Sequence, residues 1–148
     1  MSDIYDEALK LDNQICFPLY AVSKELNKHY TPLLNELDLT YTQYITMMVL
    51  WEKESLTLKE LGDKLYLDSG TLTPLIKKLE NKGYLTKKRS KKDNRDLIIT
   101  ITQDGIDLKE KAKSIPFKIA SCIKLDQEEA INLYTTLNKL LKQFKEEK

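Results

Sequence analysis

The chain has 148 residues, 32% of them charged and 41% hydrophobic, with a formal net charge of +1. That size suits one domain with a real core, and near-neutrality excludes a polycation, so a nucleic-acid role requires positive charge gathered in one place. No run of about 18 apolar residues occurs, so no membrane span is expected, and two widely spaced cysteines do not make a secreted disulfide framework.

The opening residues, MSDIYDEALK, are acidic and mixed and lack the apolar core of a signal peptide, so a cytoplasmic protein with reduced thiols is expected. In the stretch LDNQICFPLY, Asp12 or Asn13 is expected to cap a first helix. Its apolar positions Ile15, Leu19, Val22 and Leu26 recur at steps of three and four, and Pro18 should interrupt it. Residues 40–52, TYTQYITMMVLWE, are apolar nearly all round and predict a buried helix with Trp51 in the core. Thr57 opens TLKELGDKLYL, with Leu58, Leu61 and Leu65 on one face. Asp68-Ser69-Gly70 then reads as a cap and turn.

The segment TLTPLIKKLENKG carries the stripe Leu72, Leu75, Ile76 and Leu79, with Gly83 where a helix would end. Pro74 is expected near the start of that helix, where a missing N–H costs little. From Tyr84 the pattern changes: YLTKKRS and DLIITIT are β-prone and joined by the polar KKDN, which predicts a two-stranded hairpin. Gln103 to about Ile119 is helical in pattern, with a kink or break at Pro116. Asp126 caps a last helix whose first turn holds acids and whose end holds lysines.

The fold class is therefore mainly α with a small β-hairpin. The order from Leu56 to Thr102, short helix, turn, amphipathic helix, hairpin, is that of a winged helix-turn-helix. The outer face of its second helix offers Ser69, Thr71, Thr73, Lys77 and Lys78, hydroxyls and lysines suited to bases and phosphates. Between Lys82 and Asp96 lie Lys82, Lys87, Lys88, Arg89, Lys91, Lys92 and Arg95 against Asp93 and Asp96 alone. Arg89 and Arg95 are the only two arginines in the chain, and arginine suits phosphate forks and narrow minor grooves. A solvated charged hairpin would explain the basic run by itself. Combined with the preceding helices, it predicts binding of double-stranded DNA.

The segment Asp93-Asn94-Arg95, followed by Ile101-Thr102 and Gly105, resembles the wing signature of the MarR family of dimeric repressors. LYLDSGTLTPLIKKLENKGYL and LDNQICFPLY are similar to its peroxide-sensing branch, the organic hydroperoxide resistance regulators (OhrR), and the likeness runs from about Leu11 to Pro116. The resemblance implies one domain over 1–148, with dimerisation helices at about 10–40 and 103–145 around a winged helix-turn-helix at 41–102. It implies a cytoplasmic homodimer on an inverted-repeat operator, with half-sites about one helical turn apart. Arg95 would enter the minor groove, oriented by Asp93, with Asp68, Ser69, Thr71, Thr73 and Lys77 in the recognition segment and Lys88 and Arg89 on the wing. The family's sensing thiol aligns with Cys16, and two tyrosines that bond it across the dimer align with Tyr30 and Tyr41. Near a helix start the dipole favours negative charge on such a sulfur. Cys122 lies where two-cysteine members carry a second thiol that forms a disulfide with the partner subunit.

From the residues alone, Cys16 reads first as a packing residue of an amphipathic helix, and Cys122 could be a core residue of a dimerisation helix. His29 by itself cannot build a metal site, and no Walker loop, GxGxxG or C-x-x-C occurs, so neither an enzyme nor a cofactor is expected. The rivals are a repressor induced by a small aromatic ligand, a broader thiol-based stress or virulence regulator, and, with less support, a thiol peroxidase or a dimerisation adaptor.

Overall fold

The structure, a computed structural model, describes residues 3–92 and 95–147. It divides into two compact units, Met1–Tyr41 and Thr42–Lys148.

The first unit opens with a short helix α1 (Ile4–Ala8), capped by Asp3, and a single 3-10 turn, Leu11–Asn13. The long helix α2 (Cys16–Asn35) follows. Its start corrects the expectation that Asp12 or Asn13 would cap it. The Asn13 amide turns back to donate to the Glu7 carbonyl at 2.7 Å, and the Gln14 amide donates to the carbonyls of Ala8 and Lys10. These side chains close the C-terminal end of α1, and Ile15 stands at the α2 N-cap with no side-chain bond. Pro18 does not interrupt α2: it is the third helical residue, where the N–H has no intrahelical partner to lose. The interior proline is Pro32, which removes the bond that the Lys28 carbonyl would accept. After Asn35 the chain leaves the helix through Asp38, at φ 54°, and the Leu39 N–H returns to the Leu34 carbonyl. The stripe Ile15, Leu19 and Val22 is helical as expected, yet these side chains are exposed.

The second unit is built on α3 (Tyr41–Lys53), whose first residue belongs to the unit before it. Tyr44, Met47 and Leu50 are buried, but Met48 is exposed, so the helix is not apolar-covered all round. Trp51 is half-buried, and its indole N–H donates to the Gly105 carbonyl at 2.8 Å. Then come β1 (Ser55–Thr57), α4 (Leu58–Leu65), α5 (Ser69–Asn81), β2 (Leu85–Arg89) and β3 (Leu97–Ile101). Among the described residues the sheet has three antiparallel strands in the order β1-β3-β2, one more than the expected hairpin. Ser55–Thr57 is too short to show a period of two, so its strand character appears only in its pairing with Thr100–Ile98.

Helix α4 starts with a capping box: Thr57 Oγ1 accepts from the Glu60 N–H, and Glu60 Oε1 accepts from the Thr57 N–H. It ends at Tyr66 in the left-handed conformation, φ 57°. The turn is tight enough that a Cβ on Gly62 would lie 2.8 Å from the Leu67 carbonyl oxygen. Asp68 then caps α5, its carboxylate accepting from the Thr71 N–H at 2.8 Å. Leu72, Leu75, Ile76 and Leu79 are all buried, as the stripe predicted. Burying each such side chain contributes about 1.5–3 kcal/mol.

Three helices complete the unit: α6 (Gln103–Ala112), α7 (Ile115–Cys122) and α8 (Gln127–Glu146). Thr102 caps α6 by accepting from the Gly105 N–H. A side chain at 105 would strike the Tyr84 carbonyl, so glycine is required there for α6 to approach the sheet. The break after α6 falls at Lys113–Ser114, before Pro116, which sits in the first turn of α7. Asp126 caps α8 through a full capping box with Glu129, as expected. Among the described residues, no helix is long and apolar enough to cross a membrane.

Candidate nucleic-acid interface and thiol site

The first candidate surface is the outer face of α5 with the hairpin beside it. Because the buried positions of α5 are 72, 75, 76 and 79, the helical period turns Ser69, Thr71, Thr73, Lys77 and Lys78 outward, and all five are exposed. Two of the candidate groups already have internal work. The Asp68 carboxylate serves the cap, and the Thr73 hydroxyl donates to the Ser69 carbonyl at 2.8 Å. Pro74 corrects its expectation. It is the sixth residue of α5, not one of the first four, so it withholds a donor from the Gly70 carbonyl. Gly70 is exposed, and solvent or a ligand donor can serve that carbonyl on the outward face.

On the hairpin, Lys88 and Arg89 are exposed, whereas Lys87 reaches Glu80 of α5 at 3.8 Å. The Ser90 N–H donates to the Asp96 carbonyl at 2.8 Å and closes the strands below the tip. Arg95 is exposed just beyond the tip and lines one groove with Asp68, Ser69 and Asp96. The fold thus brings the end of the wing and the start of α5 to the same surface. Asp93, expected to orient Arg95, lies outside the described residues.

The second candidate site is the thiol. Cys16 is the first residue of α2 and is exposed, so within its own chain it is not a packing cysteine. Tyr30 and Tyr41 are brought together, with ring centroids 4.9 Å apart and planes tilted by 57°. Burial, and then the neighbouring Tyr41 phenol, hold the Tyr30 hydroxyl above the ordinary tyrosine range, so it stays a proton donor at neutral pH. Cys16 and Tyr30 share one helix and are 14 residues apart, about 21 Å along its axis at 1.5 Å per residue. Tyr30 therefore cannot hydrogen-bond the thiol of its own chain. Cys122 is the last residue of α7, also exposed, and its thiol donates weakly to the Lys118 carbonyl at 3.5 Å.

Comparison with known proteins places these features. The family described as transcriptional regulator SarA/Rot matches residues 28–112. An organic hydroperoxide resistance transcriptional regulator of Bacillus subtilis is 50% identical over 133 residues, 90% of each chain. The chain is a MarR/SarA-family transcriptional regulator. A further relative, the HTH-type transcriptional regulator SarZ of Staphylococcus haemolyticus, is 44% identical over 88% of the regulator and 89% of its own length. Among solved structures, reduced AbfR bound to DNA is 35% identical, covers 97% of the regulator and 99% of its own chain, and superposes with a TM-score of 0.79. AbfR, a protein of Staphylococcus epidermidis, has also been solved with its disulfide formed, and that form superposes with a TM-score of 0.63. These relatives are regulators and not enzymes. The motif residues Thr102 and Gly105 prove to be fold residues, one capping α6 and the other admitting it to the sheet.

Proposed function

We propose that the regulator is a homodimeric repressor that binds an inverted-repeat operator and leaves it when organic hydroperoxide oxidises Cys16. The observation that carries this reading is the separation within α2: an exposed thiol at one end, and at the other a tyrosine pair it cannot reach in its own chain. A second copy supplies what one chain lacks. Tyr30 and Tyr41 of one protomer donate to the Cys16 sulfur of the other, while α5 enters a major groove and Arg95 a minor groove. The name of the Bacillus subtilis relative and the DNA-bound AbfR structure support the same assignment.

The Cys16 thiolate attacks a peroxide oxygen. The O–O bond breaks, the alkoxide leaves and takes a proton to become the alcohol, and the sulfur becomes a sulfenic acid. The thiol of the partner subunit's Cys122 then attacks that sulfur; the S–O bond breaks, water leaves and a disulfide forms. The two Cα atoms must come within about 7 Å, so helices that hold them farther apart must shift, and the DNA-binding surface with them. The disulfide form solved for AbfR supports this second step.

In a gel-shift assay, Cys16→Ser should bind operator as the native protein does and stay bound after hydroperoxide treatment. Release of this variant by hydroperoxide would overturn the sensor assignment. On non-reducing gels, the oxidised native protein should run as a covalent dimer that Cys122→Ser abolishes. One observation favours a second reading, an aromatic inducer: Tyr44, Met48, Trp51, Lys109 and Lys113 line an apolar pocket of about 350 Å³. Under that reading, Cys16→Ser would still leave DNA when the inducer is added.

A further inference from the structure

We infer that Gln43 is a positioning residue, the point at which α3 holds the C-terminal end of the recognition helix α5. Gln43 and Thr46 are the buried polar residues of the described core, 3% and 0% exposed. They are satisfied in different ways. The Thr46 hydroxyl donates to the Thr42 carbonyl within α3, which links nothing to anything else. The Gln43 side-chain oxygen accepts from Lys82 Nζ at 3.2 Å, 39 residues along the chain.

Lys82 is the C-cap of α5. Directly after it comes Gly83 at φ 84°, and the Tyr84 N–H returns to the Leu79 carbonyl, so the chain reverses sharply here into β2. A cation at this end also complements the helix dipole. By composition Lys82 belongs to the basic run of the hairpin, but the structure turns it inward, half-buried, onto an amide in the core. A bond from a charged donor to a buried amide is among the stronger neutral-acceptor contacts, because breaking it strands a polar group out of water.

The consequence depends on where α3 begins. Its first residue is Tyr41, two positions before Gln43. Resting on the proposal that Tyr41 serves the sensing thiol of the partner subunit, Gln43 places the far end of the DNA-reading helix on the same helix as Tyr41. Displacement of the start of α3 on oxidation is passed to α5 through the Gln43–Lys82 bond, and α5 tilts on the operator.

The test compares operator affinity before and after hydroperoxide treatment for native protein, Gln43→Leu, Gln43→Glu and Lys82→Met. Gln43→Leu and Lys82→Met should each shrink the reduced-to-oxidised affinity ratio by about fivefold or more. Gln43→Glu, which keeps an acceptor for Lys82, should retain the ratio. The double variant should be no worse than either single one. If Gln43→Leu does not fold, Lys82→Met removes the same bond from its half-buried end. A ratio unchanged in both single variants, whatever happens to their thermal stability, overturns the proposal. A Lys82→Met variant that binds more weakly by the same factor in both redox states, with a salt dependence reduced by about one ion, also overturns it and makes Lys82 a phosphate contact. Failure of the native protein to release DNA on oxidation would instead strike the proposed function itself.

Discussion

Helices α5 and α8 obey the same local rules and meet opposite fates. Each begins at an aspartate N-cap, and in each the carboxylate accepts from the third N–H at 2.8 Å. Both carry an apolar stripe. In α5 four stripe residues are buried, whereas α8 has no buried residue, and Ile131, Leu133, Tyr134 and Phe144 are about half exposed or more. Local signals decide that a helix forms; whether its apolar face is covered depends on what else is present. The helix-turn-helix is finished within one chain. Within one chain Ile15, Leu19 and Val22 of α2 and Ile131, Leu133 and Tyr134 of α8 stay open.

The largest effect should expose this contrast through stability. Leu79 is fully buried, so Leu79→Ala should cost about 2–5 kcal/mol in urea unfolding, by the same amount at every protein concentration. Ile131→Asp on α8 replaces a residue that is 55% exposed in the single chain. If a second copy covers this face, as proposed, its cost should appear only across the concentrations where the two copies dissociate, as sedimentation would show. A concentration-independent loss at Ile131 comparable to that at Leu79 would mean that α8 is already covered by its own chain.

The next effect separates binding from folding. Arg95 is exposed, so Arg95→Ala should leave the unfolding midpoint nearly unchanged. It should weaken operator binding by about 1–3 kcal/mol, or roughly 5- to 150-fold, in a titration at fixed salt. Lys88→Ala, the removal of one phosphate-type contact, should weaken specific and nonspecific DNA alike. Equal losses on both DNAs for Arg95→Ala would reduce the wing arginine to a phosphate contact.

What could be read in the sequence was whatever single residues decide. Thr57, Asp68 and Asp126 cap their helices, Gly83 takes the positive φ, and the α5 stripe points inward because short-range geometry demands it. What could not be read depends on partners distant in sequence or on competition for a side chain. Asn13 and Gln14 look like caps for the helix that follows, but bond the carbonyls of the one before. Ser55–Thr57 is a strand only because β3 runs beside it. Lys82 looks like surface charge until the fold sets it on Gln43. At the thiol, the sequence placed Cys16 in or just after the first turn of a helix begun near Asp12, whereas the structure makes it the first helical residue, and that Tyr30 and Tyr41 touch emerges only from the fold.

The smallest effect compares the two caps directly. Asp68→Ala and Asp126→Ala each remove the carboxylate that caps an exposed helix start, and loss of such a cap costs about 1 kcal/mol. If α5 reads DNA and α8 does not, the two variants must part company on the operator. The first turn of α5 carries Ser69 and Thr71, and fraying it scatters the groups that would meet bases and phosphates. Part of the binding energy must then reorder that turn, so Asp68→Ala should lose operator affinity by up to about tenfold, the factor that 1.4 kcal/mol represents. Asp126→Ala frays a turn holding Glu128 and Glu129, acids that a phosphate backbone would repel, and should bind operator normally in the reduced state. Equal affinities for the two variants would show that the start of α5 does not face the DNA, however well its exposed hydroxyls suit it.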